Sequence, residues 1–278
     1  MLAVEGPSAE SFVRDYDGVA PFLVTEGEPC WTVRYDRDVL PLEGDTLLSF
    51  FTVKENDDQC RFSRKGDIYQ YAVFAKSDGL MKVCMRYHYG SNEVEASSCS
   101  DFSTLRFSLW FAFSMLAASG ALTFVHSSTI VYRGRAILFL GESGTGKSTH
   151  TRLWLKNISG SRLLNDDSPL LSVADKHPLV YGSPWSGKTP CYHPYHFPLA
   201  AVVRLSQAPY NEMRRLSTRE AFGAIQPSMP PALMQDERFA DMLIDMISDI
   251  ISVVPFYHLA CLPDADAALL SCRTIVER

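Results

Sequence analysis

The run Gly141-Glu142-Ser143-Gly144-Thr145-Gly146-Lys147-Ser148 constrains this chain more than any other feature. It matches the pattern G-x-x-x-x-G-K-[ST] in full. The apolar segment Ala136–Leu140 runs directly into it, and Thr149-His-Thr-Arg-Leu-Trp-Leu155 leaves it with helical spacing. A strand in and a helix out form the context in which such a loop cradles phosphate groups. Gly141, Gly144 and Gly146 admit backbone angles closed to other residues and bring amides close to phosphate oxygens. Lys147 adds positive charge for β/γ-phosphates, and the Ser148 hydroxyl suits Mg²⁺. The helix that follows turns its positive end to the same place. Residues Gly141 through Thr149 are therefore the candidate nucleotide-binding segment, with ATP or GTP and Mg²⁺ as the implied cofactors.

A second cluster, Asn165-Asp166-Asp167, follows the apolar pair Leu163-Leu164. Adjacent carboxylates at a strand end, a short way past the loop lysine, suit a magnesium ligand (Asp166) and a catalytic base (Asp167). Alone, such a pair more often caps a helix or sits in a turn; the loop ahead of it favours chemistry.

Composition narrows the class. The 278 residues are 46% hydrophobic and 21% charged, with a formal net charge of −6 and no run of like charges. A nucleic-acid partner, which calls for a basic face, is not expected. The seven cysteines are scattered singly, without zinc spacing, and read as free thiols of a reducing cytoplasm. The N-terminus lacks the basic-then-apolar order of a signal peptide. Residues 107–125 carry no charge, long enough on length alone for a membrane span. Three serines, a threonine and Gly120 interrupt the run, so the expectation is a buried helix over 103–119, a strand over 121–125 and no membrane partner.

Residues 1–100 alternate short segments rich in β-branched and aromatic residues (Cys30–Tyr35, Leu47–Val53, Ile68–Ala75, Leu80–His88) with polar turns. A mostly antiparallel sheet follows, for substrate recognition, dimerisation or structure alone. From residue 101 strands and helices mix, giving an expected α/β catalytic domain over 101–278. Ser217-Thr-Arg-Glu220 is a capping box, and helices are expected over 237–253 and from Asp264.

The segment from Val125-His126 through the loop to Arg162-Leu-Leu-Asn-Asp-Asp167 resembles the core of bacterial HPr kinase/phosphorylase. That family shares its fold with phosphoenolpyruvate carboxykinases. The chain is also similar to smaller HPr-kinase-like enzymes that phosphorylate serine in precursor peptides. The resemblance spans roughly residues 120–220 and implies an α/β, P-loop kinase domain of that fold behind a smaller β region. It implies Lys147 on the phosphates, Ser148 on the metal, Asp166 assisting with metal or orientation, Asp167 as proton acceptor and His126 facing the site. On the residues alone, a lone histidine after a strand is more often structural.

The sequence also departs from the family. HPr kinases carry a glutamate and Arg-Gly-x-Gly after the Asp-Asp strand. Here Gly182-Ser-Pro-Trp-Ser-Gly-Lys188 stands instead, and no acidic residue lies between Lys176 and Asn211. Lys188 offers a cation for the transferring phosphoryl group and Trp185 a surface for stacking; a solvated lysine and a packed tryptophan fit equally well. The histidines of Cys191-Tyr-His193-Pro-Tyr-His196 straddle a proline and make a poor metal site, while Arg204 and Arg214-Arg215 are weak candidates for phosphate contacts. The leading expectation is a kinase acting on a hydroxyl of a peptide, protein or small molecule. A nucleotide-binding regulator with little turnover stays open, as do the acceptor and homo-oligomerisation.

Overall fold

A computed structural model of the chain describes residues 1–53, 57–187 and 189–276. It divides into two compact units, one formed by residues 1–120 with 232–240, the other by 121–231 with 241 onward.

The first unit contains β1 (Leu2–Glu5), α1 (Pro7–Asp15), β2 (Trp31–Arg34), β3 (Thr46–Thr52), β4 (Gln59–Lys65), β5 (Ile68–Phe74), β6 (Met81–His88), β7 (Glu93–Ala96) and α2 (Phe102–Ala118). The strands form one sheet in the order β1-β2-β7-β6-β5-β4-β3. Pairing is antiparallel from β7 to β3 and parallel among β1, β2 and β7. Helix α2 is apolar on most of its surface and is buried accordingly, with Leu105, Phe111, Met115 and Leu116 in the core. Asp101 caps it, accepting from the Thr104 N–H at 2.8 Å. Its buried hydroxyls are satisfied within the helix: Ser108 donates to Leu105 O and Ser114 to Trp110 O. Phe111 stacks on Tyr71 of the sheet with ring centroids 4.1 Å apart. For that reason the boundary falls after α2, at Gly120, and not at residue 100 as the change of sequence pattern suggests. Among the described residues no helix is long and apolar enough to cross a membrane.

The same unit takes back residues 232–240, the start of a later helix. Asp236, 2% exposed, accepts the Tyr69 hydroxyl at 2.8 Å and pairs with Arg64 at 3.0 Å. Phe239 packs edge-on against Tyr69 at 5.0 Å.

The second unit contains β8 (Leu122–Phe124), β9 (Ser127–Tyr132), β10 (Arg135–Leu140), α3 (Lys147–Asn157), β11 (Arg162–Asp167), β12 (Leu170–Ala174), β13 (His177–Tyr181), β14 (His196–Gln207), β15 (Glu212–Arg215) and α4 (Thr218–Ile225). It continues with most of α5 (Glu237–Val253), then β16 (Phe256–Cys261) and α6 (Ala265–Val276). The sheet order is β11-β9-β10-β14-β13-β12-β8, with β16 pairing β14 and β15 pairing β16. Strand β10 is parallel to β14, which is parallel to β16. Strand β9 is antiparallel to both β10 and β11, so β11 runs with β10. The C-terminal ends of β10, β11, β14 and β16 therefore meet at one edge, where open α/β sheets place their ligands. Behind that edge Ile137, Phe139, Trp154, Val203, Leu259 and Ala268 form a continuous core. The capping box is present: Ser217 accepts from the Glu220 N–H, and the Glu220 carboxylate accepts from the Ser217 N–H.

Candidate functional site

The loop after β10 enters α3 as its glycines require. Gly144 and Gly146 hold φ values of 83° and 107°, in the left-handed region that a side chain resists. Thr145 turns back on Glu142, donating its N–H at 3.1 Å and its hydroxyl at 2.7 Å to the Glu142 carbonyl. Gly146 precedes the first turn of α3, whose leading N–H groups have no partner within the helix and face the loop.

Lys147, the first residue of α3, reaches back over the loop. Its Nζ donates to Gly141 O at 2.8 Å and Glu142 O at 3.3 Å, and lies 3.0 Å from His126 Nε2. Burial lowers its pKa from the ordinary lysine value, while Asp167 and Asp166 act to raise it again. The ammonium is thus partly desolvated and held by carboxylate charge, suited to meeting an anion.

His126 sits just before β9, its own N–H bonded to Ser228 O at 2.8 Å. Its Nδ1 is 3.4 Å from Asp167 Oδ1, and Ser168 Oγ donates to the other Asp167 oxygen at 3.2 Å. Asp167 ends β11 partly exposed, whereas Asp166 is buried at 7% exposure. Lys147, His126, Asp166 and Asp167 are thereby brought together. The Ser148 side chain is carried by the same turn of α3, half-buried; Glu142, Ser143 and Thr149 line the loop exposed. Hard oxygen donors beside a phosphate-type loop are the set that Mg²⁺ takes, usually one or two carboxylates completed by phosphate oxygens and water.

Asn165 is a structural contributor that its place in the Asn-Asp-Asp run does not announce. Fully buried, it accepts the N–H groups of Asp167 and Ser168 on Oδ1 at 3.0 and 2.9 Å. Its Nδ2 donates to Trp185 O at 3.1 Å and to Ser183. It staples the carboxylate strand to the 183–187 loop, where Gly187 N–H also donates to Asp166 O at 3.0 Å. A Cβ at Gly187 would lie 2.8 Å from that carbonyl, so glycine is needed for the close approach.

The remaining candidates divide. Trp185 is 7% exposed and packs edge-on against Phe124 at 5.2 Å, a core residue and not a stacking surface. Lys188 lies outside the described residues. His193 stacks with Tyr195, and His196 packs at a tilt against Tyr181, on separate partners. Arg204, at the end of β14, does reach the loop: it donates to Ala224 O at 3.1 Å and lies 3.6 Å from Glu142. Arg214 instead pairs with Glu220 of the capping box at 2.8 Å.

No protein-family model matches the sequence, and no curated protein does. Among solved structures the chain is similar to the Hpr(Ser) kinase/phosphatase from Coxiella burnetii, with 14% sequence identity and a TM-score of 0.33. The alignment covers 55% of this chain and 93% of that one. The functional reading rests on the site itself.

Proposed function

We propose that this chain is an ATP- and Mg²⁺-dependent kinase that transfers the γ-phosphate to a hydroxyl, with serine of a peptide or protein as the favoured acceptor. GTP is the alternative donor. The observation that carries this reading is the line Lys147–His126–Asp167 alongside the loop, with contacts of 3.0 and 3.4 Å. It sets a cation for the phosphates and a carboxylate for the acceptor on the two sides of one imidazole.

Lys147 and the amides of residues 142–149 bind the triphosphate and orient it. Ser148 and Asp166 would hold Mg²⁺, which would supply neutralising charge to the triphosphate. Asp167 takes the proton of the acceptor hydroxyl as its oxygen bonds to the γ-phosphorus and the bond to the β-phosphate oxygen breaks, leaving ADP. His126 holds the Asp167 carboxylate in place, and Arg204 stands close enough to the loop to add positive charge.

The test is transfer of labelled γ-phosphate to serine-containing peptides and to free serine, with Asp167→Asn as the variant. Transfer that falls at least a hundredfold in Asp167→Asn while ATP still binds supports the assignment; full activity in that variant contradicts it. Tight ATP binding with no transfer to any acceptor favours the regulator reading, which the absence of acidic residues over 177–210 supports.

A further inference from the structure

The reacting groups sit at a break in an otherwise continuous ladder. Strand β8 ends at Phe124 and β9 begins at Ser127, while β11 ends at Asp167 and β12 begins at Leu170. One register runs through the gap. Phe124 pairs with Leu170, Ser127 pairs with Asp167, and between them the Val125 N–H donates to Pro169 O at 3.1 Å. His126 and Asp167 therefore lie where the strands part, and β12 leads away from them within the second unit.

The two faces of the sheet beyond the break differ. On one, Thr123, Leu171, Val173 and Val180 are 0–6% exposed. On the other, Leu170, Tyr181 and His196 pair across neighbouring strands as one row. Two residues along, Leu122, Ser172, Leu179 and Pro198 form a second. Leu122, Leu170, Leu179 and Tyr181 are half-buried, and His196 and Pro198 are exposed. An antiparallel sheet ordinarily turns polar residues to water on its open face. Here leucine, tyrosine and proline stand in their place. No Asp, Glu, Lys or Arg occurs in β8, β12, β13 or residues 196–203 of β14.

An uncharged apolar patch of this kind marks a contact surface. Three strands about 4.8 Å apart and two rows about 7 Å apart make room for about two or three side chains. That is far below the roughly 800 Å² per partner of a stable protein–protein interface, so a short peptide fits and a second copy of the chain does not. Its position points the same way. Leu170 is three residues past Asp167, about 10 Å along an extended strand, the reach of an extended peptide over the same number of residues.

We propose that this face holds the acceptor, a peptide whose serine meets Asp167 and whose nearby apolar or aromatic side chains rest on Leu170, Leu179 and Tyr181. Resting on the kinase reading, this adds what the acceptor must carry beside its hydroxyl.

Transfer of labelled phosphate from MgATP to a library of peptides with a fixed serine and varied flanks tests it, in the full chain and in Tyr181→Glu. His196→Glu, at an exposed residue, decides the matter where the first variant does not fold. MgATP affinity within twofold of the wild type reports that a variant is folded. The wild type should favour Leu, Ile, Phe or Tyr over Asp, Glu and Lys near the serine, at least tenfold in kcat/KM. The variants should lose that preference through KM, with kcat kept within threefold and any transfer to free serine unchanged within twofold. No apolar preference in the wild type, or one that survives in the folded variants, overturns the docking surface and leaves the kinase reading standing. Free serine accepted as well as any peptide does the same. A wild-type dimer that Tyr181→Glu disperses in sedimentation, with peptide preference intact, gives the face to a second copy and overturns the proposal. Wild-type protein that binds MgATP and transfers phosphate to no acceptor overturns the kinase reading and the docking surface with it.

Discussion

Lys147 and Asp167 are joined through one imidazole: the lysine Nζ lies 3.0 Å from His126 Nε2, and His126 Nδ1 lies 3.4 Å from the aspartate. An ammonium only donates, so Nε2 is the acceptor and Nδ1 carries the proton toward Asp167. The cation and the carboxylate are thus held apart by a ring that contacts both, instead of collapsing into a direct ion pair.

Removing that ring should misplace the base more than it weakens nucleotide binding. His126→Ala is expected to lower kcat about a hundredfold, the scale of a small misplacement in a site of this kind. ATP affinity should stay within about threefold, because the loop amides and Lys147 do most of the phosphate binding. Steady-state kinetics beside equilibrium titration separates the two; a loss confined to KM would contradict the role.

Asn165 should matter for stability ahead of catalysis. Asn165→Ala strips the side-chain acceptor from the part-buried N–H of Asp167 and the buried N–H of Ser168, and one of two donors from the carbonyl of Trp185, which keeps Ser183 Oγ. Buried groups left without partners cost about 1–3 kcal/mol each, partly relieved where water enters, so a loss of about 2–4 kcal/mol is expected. Chemical denaturation measures it, and a loss under about 1 kcal/mol would show that the staple is dispensable.

His150 predicts an acid-sensitive fold. Its pKa is lowered by burial from 6.5 to about 4, so between those values the unfolded chain binds the proton and the folded chain does not. Stability therefore rises with pH across that window and falls as pH drops through it, by roughly 3 kcal/mol at most. His150→Gln should flatten that part of the pH–stability curve; an unchanged slope would contradict the assignment.

The sequence exposes what local patterns encode. The loop, the entering strand and α3 follow from glycine spacing and apolar periodicity, and α5 begins and ends at Glu237 and Val253, where the pattern places it. Strands β4, β7, β12, β13 and β15 carry too little local signal, because partners across the sheet fix them. The N-terminal boundary misleads for the same reason. Helix α2 has no polar face to mark what it packs against, and its contacts with Tyr71, Phe62 and Tyr35 assign it to the first unit. Asp166 and Asp167 stand out as adjacent carboxylates, but Asn165 does not, since its role depends on Ser183 and Trp185 returning to it through the fold.

The most direct test of the central claim is calorimetric binding of MgATP to the wild-type chain and to Lys147→Ala. The account predicts micromolar binding by the wild type and at least a hundredfold loss in the variant, with the folded state preserved. Equal binding by the two proteins, or none by the wild type, would contradict a phosphate site built on Lys147 and the Gly141–Ser148 loop.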